Sequence, residues 1–268
     1  MKLAMMSYTM TRQEGFNAKE MFKLTCELKL QGMDIVGLHG RPAKEWKKMA
    51  DDYGIPVIAH TFSADLNTSD PILREKGIDE IKRGLENAAI LGAPVIMVVT
   101  PGKKGEDRSD ARKRWIIGLK KAIEHAKKVG ITLTVENFPG AYSPFVIADD
   151  FLEAVAEIPE LRLTFDSGNT AGGENPADSF RKCNRYVVHA HFKDWIRSEK
   201  EHGCLMLNGE YWQGELIGRG IINHSEVINQ MQKAGYAGYI DIEYEGNSIP
   251  AKDAVRIAAD YLRELGCK

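Results

Sequence analysis

Short apolar runs alternate with longer amphipathic segments along the whole chain. No other feature narrows the fold as far. The apolar runs fall at 2–8, 33–38, 55–60, 94–100, 131–136, 161–166, 186–191 and 239–244. Many are rich in β-branched residues and bounded by Gly, Pro or Asn, which marks them as strands. Segments near 17–31, 43–53, 70–91, 108–129, 148–158, 176–183, 223–235 and 250–265 have helical length. Asn17 with Glu20 resembles a capping box, Gly32 follows the first helix, and Asp70 stands before a first-turn proline at Pro71. Gly92, Gly130 and Gly235 sit where a helix must stop and turn toward a strand. Eight such alternations predict an α/β fold, a single (β/α)8 TIM barrel forming one domain over 1–268. A doubly wound sheet is the alternative, but it concentrates its site at one switch point.

Composition removes several classes of function. The chain has 268 residues, enough for a barrel of about 250. Its 36 basic and 38 acidic residues give a formal net charge of −2, which leaves no electrostatic footprint for nucleic acid or an anionic membrane. Cys26, Cys183, Cys204 and Cys267 are scattered with no C-x-x-C pair, the pattern of reduced thiols. The opening MKLAMMSYTM reads as a first strand, and no run approaches the ~18 apolar residues of a membrane helix. A soluble, cytoplasmic protein is expected. Neither G-x-G-x-x-G after the first strand nor G-x-x-x-x-G-K-[ST] is present, so a nucleotide lacks its usual cradle.

Four side chains stand at strand ends: Glu136 closes ITLTVE, Asp166 closes LRLTFD, His191 closes YVVHAH, and Glu243 lies near the end of YIDIEYE. In a barrel these ends converge on one mouth. The first two spacings match one βα unit each. The third is too long, so about 192–222 must be an insertion, of the kind that is usually functional. Taken singly, each acid can cap the next helix or pair with a lysine. Together the four would repel and desolvate one another without a cation. Three carboxylates with one imidazole form a hard-leaning set for one divalent metal, with Mn2+ favoured, Mg2+ and Co2+ suitable and Zn2+ open.

On these residues the chain resembles the xylose-isomerase-like barrel superfamily, and within it the sugar isomerase/epimerase group that includes ketose 3-epimerases and inosose-processing enzymes. The matching stretches are TVENF at 134–138, LTFDSGN at 163–169, HAHFKD at 189–194, and LIGRGIIN through YIDIEYEG at 216–246. The first half matches by element order alone. The resemblance implies Glu136, Asp166, His191 and Glu243 as metal ligands, a site role for Lys193, and Arg197, six residues past the histidine, as a contact to substrate oxygens. Many relatives carry histidines where this chain has Asn169 and Phe138, which alters substrate contacts but not the ligand set.

His60 ends the third strand run and His39 the second, so both are candidates to bind substrate at the mouth. His189 shares the side of His191 and reads as a core histidine or a supporting partner. Trp195, Tyr211 and Trp212 in the long loop can stack on a sugar or pack the loop down. Lys103-Lys104 and Arg112-Lys113-Arg114 read as a solvated face, and Gly246-Asn247-Ser248 can offer backbone N–H groups to a phosphate.

The expected chemistry is proton transfer beside a carbonyl. Glu136 and Glu243 approach a metal-bound cis-enediolate of a sugar or cyclitol from opposite faces, giving epimerisation or aldose–ketose isomerisation. Expulsion of a β-hydroxyl from the same intermediate, as in inosose dehydratases, is the alternative. A DNA-repair endonuclease of the superfamily needs more than these seven histidines and a basic face, and a binding barrel has no use for all four ligands. Homo-oligomerisation is left open.

Overall fold

The computed structural model describes residues 1–200 and 202–268. Eight parallel strands close into one barrel. They are β1 Lys2–Met6, β2 Met33–Val36, β3 Val57–Ser63, β4 Val95–Val99, β5 Thr132–Glu136, β6 Arg162–Asp166, β7 Val187–Phe192 and, after an excursion, β11 Tyr239–Ile242. The excursion contributes β8 Asp194–Arg197, β9 Cys204–Leu205 and β10 Tyr211–Glu215, which form a separate antiparallel sheet. Closure is made by β1, where Lys2 pairs with Tyr239 on one side and Met5 with Met33 on the other. All eight expected strands are present. The 192–222 segment, expected as a loop, carries the three strands of this small sheet.

The helices are α1 Ser7–Thr11, α2 Ala18–Glu27, α3 Ala43–Tyr53, α4 Pro71–Leu91, α5 Arg108–Val129, α6 Ala148–Glu157, α7 Ser167–Ala171, α8 Pro176–Cys183, α9 His224–Lys233 and α10 Ala251–Glu264. Asn17 caps α2 and Asp70 caps α4, each accepting two amide hydrogens. Gly92 and Gly130 end α4 and α5 in the left-handed region. The expected first helix ends early, at Glu27, and the chain turns at Lys29 with φ 51°. Gly32 is instead a packing glycine, because a Cβ there would lie 2.6 Å from Ile58 Cγ2.

Along α4, Ile78, Ile81, Leu85, Ala88 and Leu91 are buried at helical spacing. Each fully buried Ile or Leu contributes roughly 1.5–3 kcal/mol relative to exposure. Gly84 lies on the same helix under Phe62, and a Cβ would come within 2.0 Å of that ring, so Gly84→Val would push α4 off the barrel. Trp46 and Trp115 are core residues, as their helical positions suggest. Arg112 departs from the solvated-face reading: it is buried and pairs with Asp150 at 2.9 Å and Glu153 at 2.6 Å. Among the described residues no helix is long and apolar enough to cross a membrane.

Two short helices place the site. After β1 and β6 the chain enters α1 and α7 at once, without a loop. The α7 turn is capped by Asp166 Oδ1, which accepts the amides of Gly168 and Asn169, both at 2.8 Å. Gly168 lacks a side chain where one would meet Lys193 Cγ at 2.5 Å and Trp195 Nε1 at 2.9 Å. The lysine stem therefore reaches the mouth over this glycine.

A candidate metal and acid–base centre

At the C-terminal mouth, Glu136, Asp166, His191 and Glu243 each offer one ligand atom, and all four atoms lie within 4.8 Å of one another. His191 Nδ1 stands 2.7 Å from Glu136 Oε1 and 3.7 Å from Glu243 Oε2. Asp166 divides its work. Oδ1 caps α7, while Oδ2 is enclosed without a hydrogen bond and has only the Lys193 ammonium 3.3 Å away, and Glu243 Oε2 is likewise enclosed without a hydrogen bond. Capping and ligation are thus compatible in one carboxylate. Buried acceptor atoms without hydrogen bonds are what a cation would satisfy, so the residues fit a divalent metal.

Burial pushes Asp166 up to about 6, against the pull of Lys193 and with the help of Glu136. Burial also holds Glu243 well above the carboxylate range, opposed by Lys193. Lys193 is itself fully enclosed, yet the surrounding carboxylates overcome its desolvation and raise its pKa well above the usual value. Its Nζ reaches Glu245 at 2.6 Å, Glu243 at 2.9 Å and Asp166 at 3.3 Å. Glu245 is held low, because the Lys193 ammonium outweighs its burial. The sequence reading did not single out Glu245.

A second layer lies deeper. Asp34 on β2, His189 and His191 on β7, and Asp241 on β11 form another buried group that could hold an ion. His189 Nε2 contacts Asp241 Oδ2 at 3.0 Å, and Thr61 donates to Asp34 Oδ2 at 2.6 Å. His191 Nε2 faces Asp241 Oδ2 at 3.6 Å and Asp34 Oδ2 at 3.7 Å. Burial opposes charging His191, but Asp34, Glu136 and Asp241 raise its pKa well above 6.5. His189 is therefore the supporting partner. The acids it works with were missed, although Asp34 in MDIV and Asp241 in YIDI interrupt otherwise apolar strands, the one signal that marks them.

The cavity above the cluster has a volume of about 280 Å³. Glu136, Lys193, Glu243 and Glu245 line it, together with the apolar side chains of Met97, Val99 and Phe138. Tyr8, Thr61 and Ser63 add hydroxyls. Several expected substrate residues lie elsewhere. His60 is buried with Nδ1 2.7 Å from the Ile35 carbonyl. It shares its side of β3 with Phe62, which faces α4, so alternation turns Thr61 and Ser63 toward the cavity instead. The expected strand stopped at His60, whereas β3 continues to Ser63. Arg197 is carried outward along β8, where its side chain is 72% exposed and pairs with Glu210 at 3.1 Å.

His39 is exposed at the rim, with φ 47° and Nε2 2.9 Å from the Val36 carbonyl. Asn169 is enclosed on α7, its side chain without a hydrogen-bond partner. Trp195 packs with Met206, Trp212 and Ile222 beneath the small sheet. These tryptophans hold the excursion down.

The chain belongs to the Xylose isomerase-like TIM barrel family, whose model matches residues 10–265. It is 29% identical over 232 residues to a protein of uncharacterised function from Methanocaldococcus jannaschii, covering 80% of this chain and 73% of that one. It is 24% identical over 241 residues to inosose dehydratase from Lacticaseibacillus casei, covering 83% and 79%. Among solved structures, 3-keto-D-glucoside 4-epimerase from E. coli superposes with a TM-score of 0.77 at 19% identity, over 98% of this chain and 99% of that one.

Proposed function

We propose that the protein is a divalent-metal-dependent sugar isomerase or epimerase that moves a proton on the carbon beside a carbonyl. One observation carries the reading. Two buried carboxylates at the ends of β5 and β11, Glu136 and Glu243, both stand beside His191 and both line one cavity. Glu136, Asp166, His191 and Glu243 would hold the ion, with Mn2+ the favoured occupant of so oxygen-rich a set. When bound, it supplies Lewis-acid stabilisation of negative charge on substrate oxygens.

The protein's own groups do the rest. One glutamate takes the proton from carbon and keeps it, and the other, protonated beforehand, gives its own proton from the opposite face or to the adjacent carbon. The Lys193 ammonium, beside Glu243 and Glu245, is placed to donate hydrogen bonds to a substrate oxygen. The apolar wall of Met97, Val99 and Phe138 suits the C–H face of a sugar and limits water at the reacting carbon.

The test is incubation of Mn2+-loaded protein with ketoses and inososes in D2O. Deuterium should enter at one carbon, and Glu136→Gln or Glu243→Gln should lower turnover by about 10²–10⁴-fold while metal is only partly lost. No exchange with any member of the panel would sink the proposal. The likeness to inosose dehydratase supports a second outcome from the same proton abstraction, loss of a β-hydroxyl. A dehydrated product identifies it.

A further inference from the structure

Beside the metal cavity lies a second one, of about 480 Å³, that the chemistry above does not use. The two share Glu245 as a wall. The second is bounded by Arg12, which follows α1, by Gly214 on β10, and by Gly246, Asn247 and Ser248 after β11. We propose that Arg12 and the backbone amides of Gly246, Asn247 and Ser248 form an oxyanion subsite, and that the substrate is a sugar derivative carrying a carboxylate or phosphate.

Arg12 supplies the first argument. Its guanidinium lies over the Tyr8 ring, 5.6 Å from the centroid, and its enclosed Nη1 has no hydrogen-bond partner. It joins no ion pair among the described residues. Of the acids lining the same cavity, Glu245 receives Lys193 at 2.6 Å with Arg12 adding a smaller attraction, and Glu215 Oε1 accepts the amide of Leu216 at 2.6 Å. A guanidinium with a sealed, unsatisfied nitrogen beside a cavity is suited to an oxyanion, which can accept in bidentate fashion.

The amides supply the second argument, independently. Around them the backbone is satisfied: Glu243 N donates to the Phe192 carbonyl at 2.9 Å, Tyr244 N to Thr9 Oγ1 at 2.9 Å, and Ile249 N to Tyr244 Oη at 3.3 Å. The amides of Gly246, Asn247 and Ser248 donate to no group among the described residues. Gly214 packs closely on the start of this stretch, where a Cβ would lie 2.7 Å from Glu245 C and 2.9 Å from Gly246 N, so the cavity opens beyond that contact, along Asn247 and Ser248. Three N–H donors and one guanidinium line the cavity together with the carboxylates of Glu215 and Glu245, and the donors are the groups that would hold an oxyanion against those two acids.

Because the cavities meet at Glu245, a substrate reacting over the metal cluster would extend its charged end toward Arg12. That step rests on the isomerase reading, whereas anion binding itself does not. The experiment therefore has two parts. Calorimetric titration of metal-loaded protein with inorganic phosphate, and separately with acetate, at constant ionic strength should show binding of at least one anion. Arg12→Gln should weaken that binding at least tenfold, with Arg12→Lys intermediate. Anion held by the metal would persist in Arg12→Gln, so binding equal to wild type in that variant overturns the subsite.

The second part compares kcat/KM for a neutral ketose with its phosphorylated and carboxylated counterparts. The wild type should favour one charged form at least 100-fold, naming phosphate or carboxylate, and Arg12→Gln should shrink the preference at least tenfold. Equal or better turnover of the neutral sugar overturns the substrate class. Turnover of none of them, with phosphate binding still dependent on Arg12, refutes the isomerase reading and leaves the subsite standing.

Discussion

Replacing Lys193 by methionine keeps the stem that passes over Gly168 and removes only the ammonium. The charge lost is one shared by three acids, with Nζ 2.6 Å from Glu245, 2.9 Å from Glu243 and 3.3 Å from Asp166. At an effective dielectric near 20, a unit pair at about 3 Å is worth about 5–6 kcal/mol before desolvation. Breaking a buried pair by deleting one partner costs about 3–5 kcal/mol, since the other charge stays buried. For a chain of this size that is a fall in Tm of roughly 10 °C.

The raised pKa of Lys193 means its contribution is complete below the unfolded value near 10.4 and is lost only as pH rises through the folded value. An assay at neutral pH therefore reads all of it. Melting followed by calorimetry should show the full deficit for Lys193→Met in chelator. Saturating Mn2+ should close at least half of it, because a divalent ion compensates the same carboxylates. A deficit under about 2 °C in chelator, or one that Mn2+ leaves unchanged, would refute the reasoning.

Other outcomes follow from the same geometry. Asp166, at about 6, must release its proton to bind a cation, so Mn2+ affinity measured by EPR should weaken as pH falls below about 6. In the metal-free protein the raised pKa values of Asp166 and Glu243 have the opposite sign: their charged forms burden the fold, which should gain stability as pH drops from 7 toward 4 through these two groups. Asp34→Asn and Asp241→Asn remove charge facing His191 Nε2, and each should lower metal affinity by about 10–100-fold, read by Mn2+ titration. Arg197→Ala should leave kcat/KM within about twofold of wild type, since its side chain is exposed on Glu210.

Periodicity made the barrel legible because every strand run has a helix-length segment after it, and strand ends carry the outer three acids and one imidazole in plain view. What periodicity does not encode is parity near an uncertain strand end. Reading β3 as finished at His60 put that ring at the mouth, and three further residues of strand move the inward positions to Thr61 and Ser63. Asp34 and Asp241 were hidden for a different reason. An acid inside an apolar strand has meaning only once its partner across the barrel is known, and His189 lies 52 positions before Asp241. The offset that suggested Arg197 as a substrate contact took no account of β8, which leads away from the cavity. Arg12 and Tyr8 escaped notice because α1 follows β1 without any turn signal.

The carboxylate of Asp194 is buried at the root of the excursion. Oδ1 accepts the amides of Trp195 at 2.9 Å and Ile222 at 3.1 Å, and Oδ2 those of Gly218 at 2.9 Å and Gly220 at 3.0 Å. Gly220 must be glycine there, since a Cβ would meet Asp194 Oδ1 at 2.1 Å. One side chain therefore clasps the outgoing strand β8 to the segment after β10 by which the chain returns to the barrel. The clasp does not isolate the insert, because the Leu205 carbonyl accepts the amide of Ala141 at 2.7 Å, the Asn208 amide donates to the Gly172 carbonyl at 2.8 Å, and Gly214 packs on Glu245. The small sheet is keyed to the mouth at both ends, so a change in its length would be felt through Glu245 and Lys193 at the metal cluster.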